Sequence, residues 1–432
     1  MTLTFSASRP IAFNMTAMKL ARRMSLLILF LVVMNGCGDH TSIQTQENKK
    51  ANNVNIELDK KRAAEIGRQL FHDKTLSASG QQSCASCHDP AFAYGPNNAL
   101  SVQLGGAHLD QQGTRAVPSL RYVLDRTPAW HIPYVRSLGE RIREGIESPS
   151  GGFTWDGRVN TLHEQAAFPL MAANEMANTS IEDIVKKIAV APYAHQFQAV
   201  FGTDIFNTPQ KAYQDALMAI EQFEISDESF HPFTSKYDAF LDGKATLNDA
   251  ELRGLRLFND PNKGNCASCH SNNLGQDGSH PLLTNFQYEA LGVPRNHNIK
   301  ANDDPHFYDK GVCGPIRKDL TDNDNLCGFF KTPTLRNVAS RAVFFHNGYF
   351  HSLKEALTFY VQRDTNPEKW YPTTKNHVTS FDDLPPAQRG NVNTIDLPMN
   401  NTRGGKPIWT EKDIDDVVAF LKTLTDQDVM NR

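Results

Sequence analysis

Basic charge is in short supply in this 432-residue chain: 44 Lys and Arg are outnumbered by 48 Asp and Glu, for a formal net charge of −4. No long Lys/Arg run follows the N-terminal leader, so the electrostatic footprint of a nucleic-acid-binding protein is missing. The apolar run Ser25–Met34 is too short to span a bilayer. Strand signals are few and brief, which points to a mainly α fold. What is there suffices for packed cores: 40% of the chain is apolar and 9% of it aromatic, over a length that accommodates two ordinary domains.

Lys19, Arg22 and Arg23 precede the run Ser25–Met34, the layout of a signal peptide. The run ends Met34-Asn35-Gly36-Cys37, similar to a bacterial lipobox, with a plain cleaved signal as the alternative. Met15, Met18 and Met24 are alternative starts. Residues 1–37 therefore read as a signal peptide with a lipobox. The polar, Asn/Gln/Lys-rich residues 38–55 read as a flexible tether. The expectation is a periplasmic protein held at the membrane only through lipid on Cys37. Of the seven cysteines, Cys313 and Cys327 are expected to form a disulfide closing the loop Gly314–Leu326, since an exported protein rarely keeps free thiols.

The folded part carries a weak internal repeat. Gly67-Arg-Gln-Leu-Phe-His-Asp73 lies upstream of Cys84, and Gly254-Leu-Arg-Leu-Phe-Asn-Asp260 lies upstream of Cys266. Ala63, Ile66, Leu70 and Phe71 share one helical face in the first copy; Leu252, Leu255 and Phe258 do so in the second. One folding unit used twice is implied. Further amphipathic helices are expected at Ile181–Val190, Gln210–Phe223, Leu353–Tyr360 and Lys412–Leu424, the last opened by a Thr410–Asp413 capping box. The boundary is placed at Phe230–Ser235, giving units of 56–228 and 229–432.

Cys84-Ala-Ser-Cys87-His88 and Cys266-Ala-Ser-Cys269-His270 have the spacing at which two thiols add to the vinyl groups of one haem while the adjacent imidazole ligates iron. Two copies imply two covalently bound haem c groups. A zinc site would join a Cys-x-x-Cys to a distant second pair, and thioredoxin-like chemistry would need a βαβ pattern around the motif; neither fits. What occupies the other face of each iron then decides the chemistry.

Several further blocks carry a resemblance: Thr154-Trp155-Asp156-Gly157-Arg158, Leu162-His-Glu-Gln165, Asn174-Glu175-Met176, Gly113-Thr-Arg115 with Pro118-Ser-Leu120, Thr332-Pro-Thr-Leu-Arg-Asn337, and Phe345-His346-Asn347-Gly348. In this order they resemble the bacterial di-haem cytochrome c peroxidase and MauG family, from about Leu58 to Leu424. The resemblance implies two cytochrome c-like haem domains in tandem. It assigns the peroxide-reactive haem to Cys84, Cys87 and His88, and the electron-entry haem to Cys266, Cys269 and His270. It makes Trp155 an electron or hole relay between them, and Gln165 and Glu175 the polar residues of the peroxide pocket, Glu175 being the candidate acid–base group.

The sixth ligand of the His270 haem separates subclasses. Counting fourteen residues from His346 lands on Tyr360, where the peroxidases carry methionine and MauG a tyrosine. His108, seven residues before Arg115, stands where the peroxidases carry a removable distal histidine, so it is read either as an iron ligand or as a surface loop residue. Gly264 replaces the surface tryptophan that MauG presents to its protein substrate. The family also places calcium between the domains, held by an Asn side chain and by carbonyls near Arg341 and Val343; Ala116 stands at the Asn position, which implies weaker binding.

The expected function is reduction of hydrogen peroxide with electrons from a small c-type cytochrome. The alternative is a MauG-like enzyme that uses peroxide to oxidise Trp or Tyr residues of a partner protein. A third reading, a non-enzymatic electron-transfer cytochrome, leaves Gln165 and Glu175 without a purpose. A homodimer is compatible with the resemblance.

Overall fold

The structure is a computed structural model that describes residues 57–122, 125–132, 148–375 and 377–430. The signal peptide, Cys37 and the tether lie outside the described residues. The fold is mainly helical, and its strands pair only as short antiparallel ribbons. Among the described residues no helix is long and apolar enough to cross a membrane.

Two hydrophobic cores account for the architecture. The first runs in sequence from Ile66 to Phe230 and the second from Tyr237 to Leu424, with a small third cluster of Tyr288, Val312 and Leu326. The first core is built by helix α1 (57–72), the turn α2 (Cys84–Cys87), and helices α3 (Leu162–Met171), α4 (Ile181–Val190), α5 (Ala194–Phe201) and α6 (Pro209–Ser226). The second is built by α7 (Lys236–Leu241), α8 (Asp249–Asn259), α9 (Leu353–Gln362) and α10 (Glu411–Lys422).

Local chemistry explains where these helices begin. The Thr410 hydroxyl accepts from the Asp413 amide while the Asp413 carboxylate accepts from the Thr410 amide, the capping box expected for α10. Thr161 and Glu164 make the same reciprocal pair at the start of α3, a helix that the sequence patterning did not mark because Pro169 interrupts it. Ala194–Phe201 and Lys236–Leu241 were likewise unmarked, being short enough that tertiary packing rather than periodicity sustains them.

The repeated glycine has the same use in both halves. A β-carbon on Gly67 would lie 1.9 Å from the Ala219 carbonyl oxygen of α6, and one on Gly254 would lie 2.0 Å from the Asp416 carbonyl oxygen of α10. In each core the helix before the Cys-x-x-Cys-His motif therefore crosses the core's late helix at backbone contact. This close crossing buries Ile66, Leu70 and Phe71 in the first half and Phe258 in the second; Leu252 and Leu255 are only half-buried against the second core.

Cys313 and Cys327, both buried, are joined by a disulfide with a Cα separation of 4.9 Å that closes the loop Gly314–Leu326.

In an exposed helix, Gly→Ala stabilises by about 1 kcal/mol. At Gly254 the clash with Asp416 outweighs that gain, so Gly254→Ala should destabilise by roughly 1–3 kcal/mol, the usual cost of overpacking. Thermal unfolding of the holoprotein checks this; a midpoint at or above wild type would refute the close crossing.

Candidate di-haem active site

One cavity of about 850 Å³ is lined by residues of both cores, including both Cys-x-x-Cys-His motifs. The four cysteines Cys84, Cys87, Cys266 and Cys269 are free thiols. Burial pushes Cys84 and Cys266 up to about 12 and Cys87 up to about 11, which favours their neutral thiol forms. His88 Nδ1 lies 3.0 Å from the Tyr94 carbonyl oxygen, and His270 Nδ1 lies 2.9 Å from the Leu283 carbonyl oxygen. Each bond fixes the tautomer with Nδ1 as donor and leaves Nε2 free to ligate. Burial lowers both imidazoles to about 4, which keeps them neutral. A predominantly apolar cavity with paired neutral thiols and an oriented imidazole on each side fits two covalent haems.

The two halves match further than the sequence repeat suggested. The Pro118 and Pro333 backbones are second partners of His88 and His270 respectively. They belong to Pro118-Ser-Leu-Arg121 and Pro333-Thr-Leu-Arg336, and both arginines are buried on carboxylates, Arg121 on Asp426 and Arg336 on Asp238. This second repeated block was available in the sequence, and its shared Pro-x-Leu-Arg pattern was the signal.

Trp155, Gln165 and Glu175 all line the cavity, together with Arg158 and the first haem motif. Trp155 sits in a tight turn in which Thr154 and Gly157 both have positive φ. A β-carbon at Gly157 would meet the Tyr288 hydroxyl at 2.1 Å, so only glycine fits there. The indole Nε1 donates to the Ala116 carbonyl oxygen at 2.8 Å. Beneath it, Asp156 is fully buried and accepts from Arg115, Arg158 and Thr154. Burial alone would raise this carboxyl, but Arg115 and Arg158 outweigh it and hold it below its ordinary value. Arg115 also forks onto Asp309 at 2.6 and 2.7 Å.

Gln165 comes from the first turn of α3 and Glu175 from the turn after that helix. The Glu175 side chain is open to the cavity but walled by protein elsewhere, and this burial raises its carboxyl against the opposing pull of Arg158. Tyr360, on α9, lines the cavity on the second-haem side beside Cys266, Cys269 and His270, and burial raises its phenol. His108 is exposed in the turn between the paired strands β1 (Leu104–Gly105) and β2 (Gln111–Gln112), outside the cavity lining. A β-carbon at Gly264 would strike the Trp409 ring at 2.2 Å, and Trp409 itself is buried and lines the cavity.

Part of the calcium site implied by the resemblance is otherwise engaged. Residue 116 offers only a methyl group, its carbonyl already accepts from Trp155, and the neighbouring Val117 carbonyl accepts from Arg341. Among the described residues no cluster of three His, Cys, Asp or Glu side chains could hold a metal ion.

The family described as di-haem cytochrome c peroxidase matches residues 61–246. The methylamine utilization protein MauG of Paracoccus denitrificans is 30% identical over 378 residues, covering 84% of this chain and 88% of its own. This chain belongs to the di-haem cytochrome c peroxidase and MauG family. As such it is an oxidoreductase that acts on peroxide and carries two haem c groups. The cytochrome c551 peroxidase of Nitrosomonas europaea is 31% identical over 298 residues, covering 68% of this chain and 71% of its own. Among solved structures, the diheme peroxidase BthA of Burkholderia thailandensis superposes with a TM-score of 0.74 at 38% identity, covering 85% of this chain and 86% of that one.

Glu224 was not anticipated. It lies on α6, is buried in the cavity wall near Cys84, and its Oε2 has no partner. Burial, assisted by Glu221, pushes its carboxyl up to about 8. A raised carboxyl stabilises the fold below the unfolded value of 4.5 and loses that contribution as pH rises toward 8. Wild-type holoprotein should therefore lose stability between pH 5 and pH 8, by up to about 1.4 kcal/mol per unit, and Glu224→Gln should flatten the slope. Unfolding midpoints at the two pH values test this; parallel profiles for the two proteins would refute it.

Proposed function

We propose that the protein is a periplasmic peroxidase that reduces hydrogen peroxide to water with electrons from a small c-type cytochrome. The observation that carries this reading is the shared wall of Glu175, Gln165 and Trp155 next to the His88 motif, because pure electron relay needs no acid–base group there. When bound, the haems supply a ligand-accepting iron on the His88 side and an electron store on the His270 side.

The chain's own residues do the rest. Glu175, raised by burial, can take the proton from the near oxygen of peroxide and return it to the leaving one. Arg158 limits that rise and keeps the carboxylate form accessible. Gln165 can donate to and accept from the same oxygens and so orient them. The Trp155 indole is held by its Nε1 bond to Ala116, which fixes the ring between the two motifs' sides of the cavity as a relay. Tandem cytochrome c-like units over 56–228 and 229–432 are part of this proposal, supported by the two cores and the matched imidazole–carbonyl bonds. Export is supported by the leader and by the Cys313–Cys327 disulfide, since such bonds persist in oxidising compartments; Cys37 is the proposed lipid anchor.

Tyr360 favours a second reading, the MauG-like oxidation of a partner protein's Trp or Tyr residues. A phenolate on the second iron stabilises its oxidised form and makes it a poor acceptor from cytochrome c. Against this, the Trp409 ring fills the space into which a side chain at position 264 would project, so a surface tryptophan has no room there. His108, at the hairpin tip, is assigned no role.

Stopped-flow mixing of the diferric protein with one equivalent of peroxide, then with reduced cytochrome c, tests the reading. Prompt return of both haem bands with stoichiometric cytochrome oxidation is expected; peroxide-treated protein that ignores cytochrome c would transfer the assignment to the second reading. Glu175→Gln should slow the reaction with peroxide by at least about 10²-fold with both haems retained. An unaltered rate removes Glu175 from its role. Tyr360→Phe should change the ferric spectrum of one haem only, and an unchanged spectrum would show that Tyr360 is no ligand.

A further inference from the structure

Arg341 is a half-buried cation on the wall of the di-haem cavity. It follows the short turn Val338–Ser340 in the second half, and its guanidinium reaches the first half, donating to the Val117 carbonyl oxygen at 2.8 Å. The other arm of the fork lies toward Gly95, in the turn that anchors His88: a β-carbon there would sit 3.5 Å from it. No acidic side chain among the described residues pairs with it, and burial alone draws it down to about 10. Arg115, Arg121 and Arg336 at the centre each have a carboxylate. The Arg341 charge lies within electrostatic reach of His88.

The segment it holds also holds Trp155. The Ala116 carbonyl oxygen accepts from the indole, the Ala116 amide donates to the His346 carbonyl oxygen, and the next carbonyl accepts from Arg341. Three parts of the chain thus converge on residues 116–117. A calcium ion at this seam would need six to eight oxygens, and the two carbonyls here are already engaged by N–H donors. A fixed guanidinium in the same place would also repel a dication.

We propose that Arg341 supplies the positive charge of this inter-core seam from the protein's own chain, in place of a bound divalent cation, and positions the Ala116–Val117 segment that anchors Trp155. The enzyme is then independent of calcium. Arg341 is a positioning residue, and its charge contributes to the reduction potential of the first haem.

Holoprotein treated with EGTA and then titrated with calcium chloride tests the first part. Haem bands, thermal midpoint and peroxide turnover are expected to stay constant throughout, with no calcium bound by calorimetry up to millimolar concentration. A shift on chelation reversed by calcium, or stoichiometric calcium binding, would overturn the proposal. The second part is read in Arg341→Gln and Arg341→Lys by redox titration of each haem. Loss of the charge should lower the first haem's potential by a tenfold change in its equilibrium constant, about 59 mV for one electron, with the second haem less affected. The lysine variant should retain the wild-type potential. Equal potentials in wild type and Arg341→Gln, or a drop in the lysine variant as large as that in glutamine, would overturn it. Should the glutamine variant fail to fold, the lysine variant and the calcium titration decide between the same outcomes.

Discussion

The centre of the molecule depends on one fully buried carboxylate, that of Asp156. Its two oxygens are taken by Arg115, Arg158 and Thr154, and its backbone carbonyl by Arg317. Through Arg115 it is tied to Asp309, and through Arg317 to the segment leading into the disulfide loop. Removing one member of such a buried set strands the opposite charge at a cost of about 3–5 kcal/mol, far more than a surface pair is worth. Because Asp156 sits between Trp155 and Gly157 in a turn at the cavity wall, this ion network anchors the backbone that carries the Trp155 indole.

Each wall of the cavity is furnished differently. Toward His88 it carries the carboxyl groups of Glu175 and Glu224, both raised by burial. Toward His270 it carries the Tyr360 phenol, close to Phe345 and Phe359. Lys331, whose amino group donates to the Gly152 carbonyl oxygen at 2.5 Å and is lowered to about 8 by burial, lies between the two. Glu289, beside Cys269 and Tyr360, is raised by burial as well, so groups able to hold a proton stand near both motifs.

Much of this was readable from the residues because it is local. The two Cys-x-x-Cys-His motifs, the helix before each, the α10 capping box and the faces Ile66–Leu70–Phe71 and Phe258 follow from short-range spacing. Tyr360 was placed by counting from His346, and it does line the cavity. His108 shows the limit of counting. The same kind of register put it near the first haem, but the β1–β2 ribbon turns it to the surface. Glu224, Lys331 and Arg341 were invisible because an isolated charge on a helix or in a loop reads as solvated. Only the assembled tertiary structure buries Glu224 and brings Lys331 and Arg341 to the cavity wall. The Pro-x-Leu-Arg repeat was visible in principle, yet its meaning depends on a bond to an imidazole some thirty or sixty positions away.

The paired glycines at 67 and 254 bear on how such a chain can change over time. Apart from synonymous changes, a glycine codon mutates only to codons that add a β-carbon or stop translation, and at both positions that carbon would meet a backbone oxygen within 2.0 Å. Backbone does not swing aside as a long side chain would, so ordinary drift is closed at both sites. Each half can then vary far more freely around its helix crossing than at it, so the two glycines are the letters of the repeat least open to being overwritten.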